Sequence, residues 1–223
     1  MDTLHSVISW CHRGYYPVPV PYREKGPKLE NWQELRITAE TAGRYFNGVP
    51  QNVGVLQGLN GACDIDLDAR EAVLAFPEFA PETALIFGRA SKPRSHWSYL
   101  LDPPCRSVRY LDPVDHQTLL EVRCLKTDGT VGLQTIVPPS VHPSGEAVEF
   151  TRGFDGHAAN VDARELAIAV RRTAAVAVLG RHWPSPQGGR HDAFLALAGG
   201  LARARWAIAE AIRLVEALYR VLW

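Results

Sequence analysis

No apolar run in this 223-residue chain approaches the length of a membrane span, and Met1 is followed by Asp2 and His5 rather than by a basic and then apolar leader. A bilayer-spanning segment and an export signal are therefore not expected, and the expected location is cytoplasmic. Cysteine is scarce: Cys11, Cys63, Cys105 and Cys124 form no C-x-x-C pair, which argues against a zinc knuckle and for reduced thiols that serve packing. No G-x-x-x-x-G-K-[ST] occurs, so the chain carries no P-loop motor. Internal repeats and low-complexity stretches are lacking too. Lysine is rare, at 4 against 20 arginines, a bias that suits bidentate phosphate contacts but equally follows from genome composition.

What is present describes a soluble globular protein, with hydrophobic residues at 46% and charged ones at 22%, long enough for one large domain or a domain with an appendage. The net charge is zero but unevenly placed. From Val161 to Trp223 nine arginines face five acids, so the tail is basic and the preceding 160 residues are acidic by the same amount. An acidic front joined to a basic tail suits a metal-dependent enzyme that acts on a polyanion, and a solvated helical surface explains the same tail.

The periodicities predict a short helix over residues 2–12, an extended Gly14–Pro21 segment imposed by its prolines, and a helical Trp32–Phe46 region with Thr38 as N-cap. Strands are expected at 52–57, 63–67, 84–87, 97–101, 119–125, 131–137 and 147–150, with a short helix at 68–76. Together these indicate an α/β or α+β module to about residue 153. The tail is helical. Asp162 caps a helix over 163–179, Pro184 and Gly188-Gly189 break it, and helices over about 191–204 and 207–222 follow. The chain stops inside this pattern without a cap, as a piece of a longer protein would.

The chemistry-bearing feature is Cys63-Asp64-Ile65-Asp66-Leu67-Asp68. In a strand it places its carboxylates on one face and Ile65 and Leu67 on the other. Like charges at that spacing repel, and a hard divalent cation relieves them; a lone D-x-D also fits a solvated edge strand. Asp68 falls where the strand gives way to a helix and is expected as that helix's N-cap. A second cluster, Ser91-Lys92-Pro93-Arg94-Ser95-His96-Trp97, offers Lys92, Arg94 and Ser95 to phosphate oxygens and sets His96 at a strand junction, where a packed histidine is the simpler alternative. A third, Leu119-Leu120-Glu121-Val122-Arg123, puts Glu121 and Arg123 on one face. They form either an exposed pair or, if this strand neighbours residues 63–67, a third oxygen ligand with a cation beside it. A rigid loop then presents Ser140, His142 and Ser144.

In this order and spacing the chain resembles the archaeo-eukaryotic primase superfamily, specifically the bifunctional DNA primase/polymerase N-terminal domain of phage and plasmid replication proteins. The segments that carry the resemblance are Gly14-Tyr15-Tyr16-Pro17-Val18-Pro19, Pro27-Lys28 with Trp32, Asn52-Val53-Gly54-Val55, the acidic strand, the segment ending in His96, Glu121, and Pro138-Pro139-Ser140-Val141-His142-Pro143-Ser144-Gly145. It covers about residues 8–153, and Arg181-His182-Trp183-Pro184 with Gly189-Arg190-His191-Asp192 is similar to the helical extension of some phage members. Two departures stand out: Arg94 occupies a position two before the histidine where the family has a small residue, and Glu121 replaces a common aspartate.

The resemblance implies an α+β (mixed α/β) primase-like catalytic module with an RRM-like sheet over residues 1–155, followed by a small all-α basic extension over 156–223. It implies template-dependent nucleotidyl transfer, with Asp64, Asp66 and Glu121 holding two Mg²⁺ or Mn²⁺ ions. His96 and Arg123, supported by Lys92, Arg94, Ser95 and Lys28, would bind the triphosphate, and Ser140 and His142 the nucleotide. Arg190, Arg203 and Arg205 are candidates for DNA contact, and Trp183 and Trp206 for base stacking, although burial accounts for the tryptophans as well. The implied partners are a single-stranded DNA template, a primer, NTP or dNTP, and a helicase domain in the full-length protein. A replication-initiation module that recruits DNA and a helicase, and a metal-dependent phosphohydrolase or nuclease, are the competing expectations.

Overall fold

Three prolines in five residues would ruin a central strand, because each lacks the N–H that a ladder needs on both sides. In the computed structural model, which describes residues 2–184 and 189–223, Pro17–Pro21 (β1) accordingly lies at the edge of a three-stranded sheet ordered β1-β2-β8. Gln51–Leu56 (β2) is its centre and Gln134–Val137 (β8) its other edge, both pairings antiparallel. Gly54 lets Gln134 and Val18 approach closely, since a Cβ there would fall 2.3 Å from Gln134 Oε1 and 3.0 Å from Val18 Cγ2 and the glutamine would have to move.

The larger sheet runs β6-β7-β3-β5-β4-β9. Its strands are Ala62–Leu67 (β3), Leu85–Arg89 (β4), Lys92–Leu101 (β5), Val108–Leu111 (β6), Thr118–Arg123 (β7) and Glu149–Asp155 (β9), and the short Ala159–Val161 (β10) pairs with β5 in parallel. Five helices complete the described elements: Thr3–His12 (α1), Arg70–Ala75 (α2), Ala163–Arg181 (α3), Arg190–Arg203 (α4) and Ile208–Leu222 (α5). The class is mixed α+β, as the alternation of strand and helix signals led one to expect.

Two compact units share these elements. The first comprises Met1–Asp66, Pro81–Arg109 and Glu121–Glu165. Its core gathers Val7, Trp10, Tyr15, Ile37, Phe46, Val53, Leu85, Phe87 and Val137. Asp2 caps α1, accepting from Leu4 N, and Trp10 on the apolar face of α1 donates its indole N–H to Pro138 O at 2.9 Å. Burying that ring while satisfying its N–H fixes the proline loop against the helix.

The second unit comprises Leu67–Ala80, Tyr110–Leu120 and Leu166–Trp223. Gly180 of α3 admits α5 closely, since a Cβ there would sit 2.4 Å from Val221 Cγ1. Buried Asp112 accepts from Arg181 Nη1 at 3.2 Å and pairs with His182 Nε2 at 2.9 Å. Backbone and side-chain donors outweigh the cost of its burial, so its carboxyl is held down at about 2.

One predicted element is replaced. Residues 32–46 form only two single 3₁₀ turns, Trp32–Glu34 and Ala42–Arg44. The Thr38 N–H is taken by Thr41 Oγ1 at 2.9 Å and the Thr38 hydroxyl by Glu40 at 2.5 Å, so local side-chain bonds compete with a continuous helix, and Asn31 sits at φ +53°. Asp162 does cap α3, accepting from Arg164 N at 2.8 Å and Glu165 N at 3.2 Å. Gly188, expected as part of a helix break, lies outside the described residues. Among the described residues no helix is long and apolar enough to cross a membrane.

Candidate active site and metal centre

The order β7-β3-β5 decides what the acidic strand faces. β3 pairs antiparallel with β5 so that Asp64 lies opposite Ser98 and Asp66 opposite His96, and β7 with Glu121 and Arg123 flanks β3 on its other side. Period-two alternation puts Asp64 and Asp66 on one face and buries Ile65 and Leu67 on the other.

Asp64 is 1% exposed. Its Oδ2 pairs with His96 Nδ1 at 3.0 Å and accepts from Thr135 Oγ1 at 2.8 Å, while buried Oδ1 has no hydrogen-bond partner. The other nitrogen of His96 is 3.8 Å from Asp66 Oδ1, so one imidazole addresses both aspartates. The ring stacks on Phe87 at 4.9 Å and 10°, which fixes its plane. Burial disfavours the imidazolium, but the charges of Asp66 and Asp64 and the bond to Asp64 outweigh it, so His96 titrates above its ordinary value.

Glu121 is 9% exposed and is held from two sides. Arg109 Nε donates to Oε1, and Arg123 Nε donates to Oε2 at 2.9 Å. Arg123 also reaches Asp66 Oδ2 at 3.3 Å, so its guanidinium bridges both carboxylates. Burial works against the charge of Arg123, yet Asp66, Asp64 and Glu121 together hold it more firmly protonated than usual.

The expected N-cap role of Asp68 is corrected: the capping position of α2 falls on Ala69, with Asp68 N and Ala69 N both bonded to Leu119 O. Asp64, Asp66 and Glu121 offer oxygen donors alone, and one Asp64 oxygen is buried without a hydrogen-bond partner, chemistry that fits a hard divalent cation such as Mg²⁺ or Mn²⁺.

The basic loop forms the β4–β5 hairpin. Arg94 adopts φ +56°, the left-handed conformation glycine takes freely. Its guanidinium lies over Trp97 at 5.0 Å and Phe154 at 5.4 Å, so this departure from a small residue is stabilised by two rings. Ser95 is buried, on the strand face opposite His96. Lys92 begins β5 and is half-buried, whereas Lys28 is exposed and paired with Glu24 at 2.6 Å.

Ser140 is buried: its Oγ accepts from Val53 N at 2.9 Å and donates to Val53 O at 3.1 Å, which commits it to joining the proline loop to β2. Asn52 does the same on the other side of that loop, exchanging bonds with Val141 N and O at 2.8 Å. His142 pairs with Ser144 Oγ at 2.8 Å and lies 3.5 Å from Arg89. Glu146 gathers Ser91 N at 2.7 Å, Ser91 Oγ at 2.8 Å, Ser144 Oγ at 2.9 Å and Arg89 at 3.1 Å. Burial and then the Arg89 charge push His142 below its usual value, while the Ser91 and Ser144 donors hold Glu146 down at about 2.

The structure thus brings Asp64, Asp66, Glu121, His96 and Arg123 together. It adds Thr135, bonded to Asp64, and Arg109, bonded to Glu121, neither of which the sequence singled out as a site residue. Arg109 lies in a short strand with no alternation to flag it, and Thr135 belongs to the other sheet. In the second unit, Arg190 packs over Trp223 at 4.7 Å, Arg203 and Arg205 are exposed, Trp183 meets Phe194 at 4.7 Å, and Arg172 covers Trp206 at 5.3 Å.

No curated protein matches the chain. The family model described as bifunctional DNA primase/polymerase, N-terminal, matches residues 8–171, a span that holds every carboxylate, the histidine and the arginines of this site. On that match, over most of its length, the chain belongs to the Prim-Pol family of nucleotidyltransferases.

Proposed function

We propose that this domain extends a primer on a single-stranded DNA template by nucleotidyl transfer, with the face of β3 carrying Asp64 and Asp66 as its reaction centre. The observation that supports this most strongly is the convergence of Asp64, Asp66 and Glu121 with His96 and Arg123 on three adjacent strands. Asp64, Asp66 and Glu121 are the residues that would hold two divalent ions. Bound there, the ions supply acidification of the attacking 3′-hydroxyl and neutralisation of the departing pyrophosphate.

The chain's own groups do the rest. Thr135 and His96 orient Asp64 through one oxygen and leave the other for ligation. Arg123 balances the negative charge of Asp66 and Glu121 before substrate arrives and has N–H groups to offer a triphosphate oxygen. His96, biased toward imidazolium, adds a donor and a positive charge to the same pocket wall. Lys92, Arg94 and Lys28 extend the basic surface for the triphosphate. Ser95, Ser140 and His142 act as supports for the hairpin and proline loop. The helical tail, through Arg190, Arg203 and Arg205, binds template phosphates in a salt-sensitive manner or links to a further region. A phage or plasmid replication protein that also carries a helicase is the setting this activity suits.

The test is extension of a labelled primer on single-stranded template with Mg²⁺ or Mn²⁺ and either nucleotide class. Template-directed products lost in an Asp64→Ala, Asp66→Ala double variant that still binds DNA support the proposal. Binding without incorporation under any metal favours a recruitment module, and shortened template favours a nuclease.

A further inference from the structure

β3 presents a second, chemically different cluster on its opposite face. Cys63 precedes Asp64, so alternation turns its side chain away from the carboxylates. There it meets Cys105, from the loop after β5, and Cys124, the residue after β7, with the three sulfurs all within 4.8 Å of one another. Forty-two and nineteen residues separate these cysteines, which is why no C-x-x-C spacing announces them.

The backbone holds the cluster in place. Leu125 N donates to Cys105 O at 3.1 Å, Ser107 N to Leu125 O at 2.7 Å, and Cys124 N to Ser107 Oγ at 2.8 Å. The Cys105 and Cys124 segments are therefore laced together beside β3. Cys63 and Cys124 are buried, Cys105 is half-exposed, and all four cysteines are free thiols. Cys11, the fourth, stands apart from the cluster, with its sulfur against Ile37 O at 3.6 Å.

We propose that Cys63, Cys105 and Cys124 form a three-thiolate site for Zn²⁺, separate from the carboxylate centre. In a tetrahedral zinc–thiolate site with Zn–S near 2.3 Å, neighbouring sulfurs lie about 3.8 Å apart, a spacing within the limit of the cluster. Each thiol gives up one proton to solvent on binding, so three protons leave as one Zn²⁺ enters. The half-exposed Cys105 side is where water would complete the coordination. Hard Mg²⁺ is rejected by sulfur, and the oxygen-only carboxylate set is a poorer host for zinc than thiolates are, so one strand serves two metals without exchange. The site would tie β3 to the segments that follow β5 and β7.

The experiment uses the full chain purified under reducing conditions, stripped with a chelator and titrated with Co²⁺ as a spectroscopic stand-in, then with Zn²⁺, in excess Mg²⁺. Expected are one equivalent of cobalt with a sulfur-to-metal charge-transfer band, displaced by zinc, in the wild type, in Cys11→Ser and in Asp66→Asn. In Cys105→Ser, where the partly exposed position lets the chain fold as judged by circular dichroism, affinity should fall by at least roughly 100-fold, more than loss of an outer-shell partner costs. Absence of the band in the wild type, an undiminished band in Cys105→Ser, or a Cys105–Cys124 disulfide without metal would overturn the proposal. Because Asp66→Asn disables the carboxylate centre, its retained band separates this outcome from the fate of the polymerase assignment.

Discussion

Arg123 occupies the position where the charge balance of the site can be tested without any substrate. Its guanidinium touches Glu121 at 2.9 Å and Asp66 at 3.3 Å, and both carboxylates are nearly buried. At an effective dielectric near 20 each contact is worth about 5 kcal/mol of gross attraction, most of it offset by desolvation. Replacing Arg123 by Gln removes the cation shared by Asp66 and Glu121, leaving Glu121 to Arg109 and Asp66 to the more distant His96. Because the arginine is 30% exposed, the net loss is scaled down to about 2–3 kcal/mol. For a chain of this size that lowers Tm by about 5–10 °C in metal-free buffer. Saturating Mn²⁺ should recover much of it, since a cation that no longer competes with the guanidinium, present at about 100 times its Kd, returns roughly 2.7 kcal/mol. Differential scanning calorimetry of wild type and Arg123→Gln, each with and without Mn²⁺, provides the four values. The account expects a larger metal-induced rise in the variant. A Tm within about 1 °C of wild type without metal, or an equal Mn²⁺ response in both, would refute the reasoning that Arg123 and the metal share the same carboxylates.

Further perturbations test the supports of the site. Ser140→Ala should cost about 1 kcal/mol of stability by urea melting, through the lost Val53 bonds, with no change in KM for the nucleotide. Gly58→Ala should cost at least about 1 kcal/mol, because Gly58 sits at φ +86° and a Cβ would lie 2.5 Å from Leu125; an unchanged urea midpoint would show the turn relaxing freely. The Glu146 carboxyl is depressed from 4.5 to about 2, so its stabilisation is fully present above pH about 4.5 and fades as pH falls toward 2. Wild type should lose urea resistance across that window more steeply than Glu146→Gln, and parallel profiles would contradict the assigned role of the Ser91 and Ser144 donors.

Much of the site was legible because its elements obey simple periods. The Asp64/Asp66 alternation with Ile65 and Leu67 marks a strand with one carboxylate face and one apolar face, and Glu121 with Arg123 repeats the pattern on β7. What the sequence left open was pairing: only the order β7-β3-β5 turns two ambiguous acidic strands into one cluster. Asp68 was misjudged as a cap because capping depends on a one-residue difference in where α2 begins, and Ala69 carries no signal of its own. The helix expected over 32–46 failed because Thr38, Glu40 and Thr41 satisfy one another locally, a competition that hydrophobic spacing does not register. Ser140 looked like a nucleotide contact because a rigid loop presents it, yet its hydroxyl replaces a backbone partner of Val53. The cysteine cluster was invisible for the opposite reason, since its members are distant in sequence and each alone is an ordinary packing residue.

The central claim is that the carboxylates on β3 and β7 carry out nucleotidyl transfer, and single-turnover primer extension tests it most directly. With Mn²⁺, dNTP and a primed single-stranded template, Asp66→Asn, shown by calorimetry to be folded, should incorporate nucleotide at least about 1000-fold more slowly than wild type, a loss of about 4 kcal/mol of transition-state stabilisation. Incorporation by that variant within a few-fold of wild type would contradict the account.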